Sequence, residues 1–364
     1  MAFGPSAFGC ISGSADIGIR PDDPHGHNDL GNLLVIVGRP ADALPHFERA
    51  LALRPDMADA LSNLGNALRS LGRSDEAIGR YRRALELNPN HPGALNNLGA
   101  ELAQAGQARE ALPLFERALQ LKPKDAALRD NLAGTLREMG RLEEAVTQHS
   151  EALRLKPEFA EAHANLGRTL SKMGRFEEAM RHFERALTLK PTLVAARSHY
   201  ATALAATGRG GEGFAQLKQA VELSPDSAEA QHNMGAALAQ SGRTEEALLH
   251  FEKALELAPN FATARANLGT AYLSLRRWSD AITQLAAEAQ LNPDSAIVQA
   301  QLAVALVNDE QLAAAVPHFE AALRLNPGAA EVHDNFGQVL NALGRKRDAF
   351  EHMEEAARLR RASR

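Results

Sequence analysis

The sequence predicts an all-α fold of the solenoid class, a row of helix pairs that pack on their neighbours and not on one central core. Three observations carry that prediction. Prolines recur at a fixed interval of 34 residues, from Pro55 through Pro89, Pro123, Pro157, Pro191, Pro225, Pro259 and Pro293 to Pro327. The residues between them repeat one pattern, clearest in the three blocks from Asp59 to Pro157. Hydrophobic residues make up 45% of the chain but aromatics only 5%, so alanine and leucine carry the packing, which suits helices in close approach. A period of this length marks stacked repeats, and it overrides the two or three domains that 364 residues would otherwise suggest.

Residues 1–23 precede the pattern. Rich in Gly, Ser, Pro and Asp and without helical period, they read as a disordered leader, set off by Pro21 and Pro24. The solenoid is read over residues 24–363. With position 1 placed 31 residues before each ladder proline, repeats start at Pro24, Ala58, Pro92, Ala126, Ala160, Val194, Ala228, Ala262, Ala296 and Ala330. Each splits into helix A, roughly positions 2 to 14, and helix B, roughly positions 18 to 31.

Position 15 is the turn between them, glycine at Gly38, Gly72, Gly106, Gly140, Gly174, Gly208, Gly242 and Gly344, where a left-handed residue closes helix A. Position 19 is acidic in nine repeats, as at Glu76 and Glu110, which complements the partial positive charge at the start of helix B. Pro45, Pro113 and Pro317 at position 22 are read as lying within the first turn of helix B, where a missing N–H costs little. Position 8 is small throughout and position 20 is alanine except at Gly213, so the two helices approach closely. Large apolar residues fill positions 7, 11, 21, 24, 28 and 30, as Leu64, Leu68, Ile78, Tyr81, Leu85 and Leu87 do in the second repeat.

Three repeats depart from this. The sixth carries Tyr200 at position 7 and the run Gly208-Arg209-Gly210-Gly211-Glu212-Gly213, which predicts a weak start to its second helix and a hinge. The eighth has Arg276 at the turn and Glu288 in place of alanine; the ninth has Asn308-Asp309-Glu310 at its turn. After the last helix B no capping helix is expected. Arg345, Lys346, Arg347, Arg358, Arg360 and Arg361 make that end basic. It reads as a solvated terminal helix, with self-association through the uncapped last repeat as the alternative.

Leu98-Gly99, Ala111, Phe115 and Pro123 occupy positions 7–8, 20, 24 and 32 of the third repeat, and the same residue types recur along residues 24–363. This pattern resembles the tetratricopeptide repeat (TPR) family. The family's tryptophan at position 4 is missing; His27, Leu61, Leu95, Arg129 and His163 stand there. The resemblance implies a right-handed superhelix with helix A on the inner surface, and a protein-interaction role.

Inner-facing positions are then about 2, 5, 6, 9, 12 and 13. Position 6 holds Asn63, Asn97, Asn131, Asn165, Asn233, Asn267 and Asn335, with Asp29, His199 and Gln301 in the other repeats. Asparagine is a poor helix-interior residue, so its recurrence has a reason. One reason is structural, an amide bonding the neighbouring helix. The other is a peptide-binding ladder, since an amide both donates and accepts, as a peptide main chain does. The Asn-Leu-Gly triplets at 63–65, 97–99, 165–167 and 267–269 resemble the asparagine ladder in the superhelical domain of O-GlcNAc transferases. That likeness implies an alternative, the recognition arm of such a glycosyltransferase without its catalytic domain. A carboxylate clamp does not fit. Position 2 has no lysine and position 6 no arginine, and Asp59 and Glu161 would repel a carboxylate. Arg69, Arg137, Arg168 and Lys172 are read as part of a mixed, solvated inner surface.

Other function classes find little support. A net charge of −5 with mixed signs argues against nucleic acid. His25 and His27 have no third metal ligand at suitable spacing, so neither metal nor cofactor is expected. His46, His182, His250, His318 and His352 all fall at position 23 and are read as helix B surface residues. No nucleophile sits beside a base, and the glycines at 208–213 follow a helix, not a strand. Cys10 is the one cysteine, which suits a reducing, cytoplasmic setting, and no apolar run approaches the ~18 residues of a membrane span. The sequence thus points to a non-catalytic scaffold that binds an extended segment of a protein partner.

Overall fold

The computed structural model describes residues 22–362. The expected leader lies outside the described residues except for Asp22 and Asp23, and Cys10 lies outside them too. Both aspartates are tied to the first helix pair: Asp22 accepts from Arg49 Nη2 at 3.1 Å and Asp23 accepts the His25 N–H at 3.0 Å.

The described residues form twenty α-helices, and the chain divides into two compact units, residues 1–190 and 191–364. The first unit holds α1 (Pro24–Ile36), α2 (Pro40–Leu53), α3 (Ala58–Ser70), α4 (Ser74–Leu87), α5 (Pro92–Gln104), α6 (Ala108–Leu121), α7 (Ala126–Glu138), α8 (Leu142–Leu155), α9 (Ala160–Lys172) and α10 (Phe176–Leu189). The second holds α11 (Val194–Ala206), α12 (Gly210–Leu223), α13 (Ala228–Gln240), α14 (Thr244–Leu257), α15 (Ala262–Ser274), α16 (Trp278–Leu291), α17 (Ala296–Asn308), α18 (Leu312–Leu325), α19 (Ala330–Ala342) and α20 (Lys346–Ala362). Odd-numbered helices occupy positions 1–13 of each repeat and even-numbered ones start at position 17.

Local chemistry sets these limits. Side chains of Asp23, His91, Asp125, Ser227 and Ser295 accept first-turn N–H groups and start five of the odd helices. At the other end the position-16 N–H reaches back to the position-11 carbonyl, as Arg39 to Leu34 at 2.8 Å and Arg73 to Leu68 at 2.9 Å. This six-to-one bond requires a left-handed residue between. Gly72 has φ 74° and Gly208 φ 81°; Arg276 and Glu310 adopt the same conformation at 57° and 61° without being glycine. Because position 16 closes one helix, position 17 is released to start the next. Pro45, Pro113 and Pro317 are therefore not in the first turn, as their sequence position suggested, but inside their helices. Each removes one donor that an i→i−4 bond would use.

Each pair closes around position 24. A Cβ added to Gly65 would meet the Tyr81 ring at 2.5 Å, one on Gly99 the Phe115 ring at 2.9 Å and one on Gly167 the Phe183 ring at 2.7 Å. In the sixth repeat the small residues are exchanged: Ala201 stands at position 8, and a Cβ on Gly213 would lie 2.8 Å from the Ala201 carbonyl oxygen. Gly213 is thus a packing residue. Helix α12 has the 14 residues of the other even helices before α20.

Candidate functional site

Within each unit, successive odd-numbered helices touch one another, whereas successive even-numbered helices do not. Stacked pairs joined this way curve toward the odd helices, which form the inner wall of each unit. Position 6 lies on that wall, and all seven asparagines there are half-buried.

In the first unit each ladder amide donates to the preceding odd-numbered helix. Asn63 Nδ2 reaches Asn28 Oδ1 at 3.0 Å, Asn97 reaches Asn66 Oδ1 at 2.7 Å, and Asn131 reaches Asn96 Oδ1 at 2.8 Å. Asn165 reaches Asp130 Oδ2 at 2.9 Å. In the second unit Asn267 Nδ2 meets His232 Nε2 at 2.9 Å, and Gln301 reaches Thr270 Oγ1 at 2.9 Å. His232 Nδ1 lies 3.2 Å from Asn233 Oδ1. The His232 tautomer follows: Nδ1 donates to Asn233 and Nε2 accepts from Asn267. One amide proton therefore fixes most of the ladder in place across successive repeats. Asn233 makes no such bond and is met only by His232 of its own helix, and Asn335 has no hydrogen-bond partner among the described residues.

The ladder is also joined to the core. Asn66 Oδ1 accepts from both Asn97 and the Tyr81 hydroxyl, the latter at 2.8 Å. Burial pushes the Tyr81 phenol up to about 12, so it remains a protonated donor. Asp130 is buried, with one oxygen 2.7 Å from Nδ1 of the buried His149 and the other on Asn165. The mixed surface read from the sequence is thus partly an interior network. Arg137 is buried with Nε and Nη2 on Glu138, Arg69 lies 3.9 Å from the buried Glu101, and Lys172 Nζ donates to the Arg137 carbonyl at 3.3 Å.

The position-23 histidines are not surface residues. His46, His182, His250, His318 and His352 are half-buried and each contacts position 4 of its own repeat. Position 4 in turn reaches the carbonyl of the preceding ladder proline. Gln231 Nε2 donates to the Pro225 carbonyl at 2.8 Å while its Oε1 accepts from His250 Nδ1 at 2.7 Å, and Gln299 does the same with Pro293 and His318. Arg129 bridges Pro123 and Gln148, and His163 bridges Pro157 and His182. In these repeats a polar couple thus replaces the missing tryptophan, whereas the second and third carry Leu61 and Leu95 at position 4. The sequence signal was there, since polar residues at positions 4 and 23 vary together between repeats; the spacing of 19 residues crosses two helices and is not visible as a helical period. The eighth repeat solves the same problem with charge. Arg265 lies 3.4 Å from the buried Glu288 and also bonds the Pro259 carbonyl.

Among the described residues no group of three or more His, Cys, Asp and Glu is placed to hold a metal, and no helix is long and apolar enough to cross a membrane. Sequence models of the tetratricopeptide repeat match residues 28–92, 64–126 and 300–363, residues 125–192 and 192–260, and residues 238–305. The chain belongs to the tetratricopeptide repeat family. No curated protein matches the TPR chain as a relative. Among solved TPR structures, the APC/C hetero-tetramer Cut9-Hcn1 is similar with a TM-score of 0.63 and 16% identity, over 89% of this chain and 65% of that one. The present chain therefore spans less than two thirds of that protein. A tetratricopeptide repeat protein from Parabacteroides merdae is similar with a TM-score of 0.59 and 18% identity, over 68% of this chain and 98% of that one. At these identities the likeness concerns the TPR fold alone.

Proposed function

We propose that this TPR chain is a non-catalytic interaction scaffold that binds an extended polypeptide segment along the odd-helix wall. The observation that supports it most is the state of the ladder. Each of Asn63, Asn97, Asn131, Asn165 and Asn267 uses one amide proton to hold its orientation across a repeat boundary. An amide carries two protons and two acceptor lone pairs, so each retains capacity for a peptide N–H or C=O. Fixed orientation lowers the ordering cost of binding. The partner is a protein, recognised by its main chain more than its charge, and the setting is cytoplasmic.

The test separates binding from scaffolding. Asn97, Asn131 and Asn165 are replaced together by alanine, and Asn66 and Asn96 are replaced as controls, which breaks cross-repeat bonds but leaves the ladder amides of Asn97 and Asn131 in place. On an array of extended peptides the triple variant is expected to lose about tenfold in affinity, the worth of one or two hydrogen bonds, while the controls lose only the smaller advantage of fixed orientation. Equal loss in both sets, tracking a lower melting temperature, would show that the amides only join repeats.

A further inference from the structure

The inner wall of the second unit changes character at α17. Ile297, Ala300, Val304 and Val307 take positions 2, 5, 9 and 12, and Ile297 is 71% exposed. Between α17 and α19 the surface opens into two adjoining pockets of about 300 and 330 Å³. Val304, Phe319 and Asn335 border both, and Glu331 is the one ionisable residue lining either.

Asn335 stands on the ridge between these pockets. Five of the other six ladder amides find an acceptor at position 5 or 9 of the preceding odd helix: Asn28, Asn66, Asn96, Asp130 or His232. Before Asn335 those positions are Ala300 and Val304, which offer none. Its amide is therefore half-buried, unpaired among the described residues, and flanked by two apolar pockets. Its amide atoms are left to solvent, and a bound main-chain group would take the place of that water.

The spacing says more about the occupant. One pocket lies beside Ala300 and the other beside Val307, seven residues on, or ~10 Å along a helix at 1.5 Å per residue. A polyproline II segment turns once in three residues and rises about 3.1 Å per residue, so side chains at i and i+3 point the same way about 9 Å apart. Such a backbone has no internal hydrogen bonds, which leaves its N–H and C=O groups for Asn335. The near absence of charge around the pockets disfavours a charged segment, whose desolvation nothing there would offset.

We propose that the groove between α17 and α19 docks an extended, uncharged segment of a partner protein. That segment carries large apolar side chains at i and i+3, and Asn335 holds the main chain between them. This deepens the reading of the odd-helix wall as the peptide-binding face and rests on it. The full chain is titrated, by fluorescence anisotropy, against acetylated and amidated nine-residue Ser/Pro peptides with two leucines separated by two, three or four residues. The i,i+3 peptide binds most tightly, Val304→Arg abolishes its binding, and Asn335→Ala weakens it about tenfold while leaving the melting temperature unchanged, since no intramolecular bond is lost. No preference among the spacings, or undiminished binding to Val304→Arg, overturns the proposal. So does tighter binding after removal of residues 1–21, which would make that segment the occupant. A concentration-dependent dimer that Val304→Arg dissolves would make the occupant a second copy, and equally overturns it. The Asn97, Asn131 and Asn165 alanine variant distinguishes the two readings: it spares the i,i+3 peptide if the groove acts alone, and it loses array binding if the ladder acts.

Discussion

At the scale of single residues, the couples between positions 4 and 23 give this chain its individual chemistry. Three are histidine pairs, with Nδ1 to Nδ1 distances of 3.3 Å for His27 and His46, 3.0 Å for His163 and His182, and 2.8 Å for His333 and His352. His163 Nε2 lies 3.1 Å from the Pro157 carbonyl, so Nε2 carries the proton and Nδ1 accepts from His182. A second proton would set two N–H groups against each other in a half-buried site. Burial first, and the charge of His163 next, lower His182 from the usual histidine value to about 4; Arg181 adds to this and Glu178 opposes it. Because the folded protein then binds fewer protons than the unfolded chain, stability is complete above about pH 6.5 and falls as pH drops from there toward 4. His163→Gln copies the arrangement of Gln231 with His250, so the variant should fold and show a shallower fall in melting temperature over that range. An identical pH profile would remove the pair as its source.

At the scale of elements, the turns and the close contacts decide the pattern. Position 15 must be left-handed for the six-to-one bond to form, and in an L-residue this costs ~1–2 kcal/mol. Arg276 and Glu310 carry that strain. Glycine restores the conformation but loosens the unfolded chain. The balance predicts that Arg276→Gly and Glu310→Gly each stabilise by about 1 kcal/mol, read as a higher urea midpoint with unchanged slope. The eight turn glycines were legible in the sequence from their period alone. The prolines at position 22 were legible as residues but not as to place. Where helix B starts depends on which residue finishes the bond that closes helix A, and that is set by backbone geometry.

At the scale of the whole molecule, stability is shared between neighbours and not pooled. Phe115 is buried at 1% exposure and packs in a cluster with residues of the first to fourth repeats. Phe115→Ala should cost about 3–5 kcal/mol locally. In a chain whose repeats touch only their neighbours, hydrogen-exchange protection is then lost in α3 to α8 and kept in α13 to α18. Uniform loss along the chain would mean one cooperative body. Of the candidate site, the sequence showed the position-6 row and its bonding between helices; contact with a peptide is the role we propose for it. Which amide has a partner was hidden, because it depends on residues one repeat earlier that lie alongside only after stacking. Ala300 and Val304 are unremarkable in sequence, yet they leave Asn335 without an acceptor.

The sequence by itself determined the all-α repeat class, the family and the residues at each turn. All of these follow from local rules, the helical period, the left-handed glycine and the proline stop, repeated at a constant interval. Only the tertiary structure decided that the position-23 histidines face inward, that Asp130 and Glu101 are buried, and that the second unit offers an apolar groove where the first offers a polar wall. Those outcomes depend on pairs of residues 19 or 35 apart, brought together when helices pack side by side. A row of amides could be read along the chain; its bonding had to be read across it.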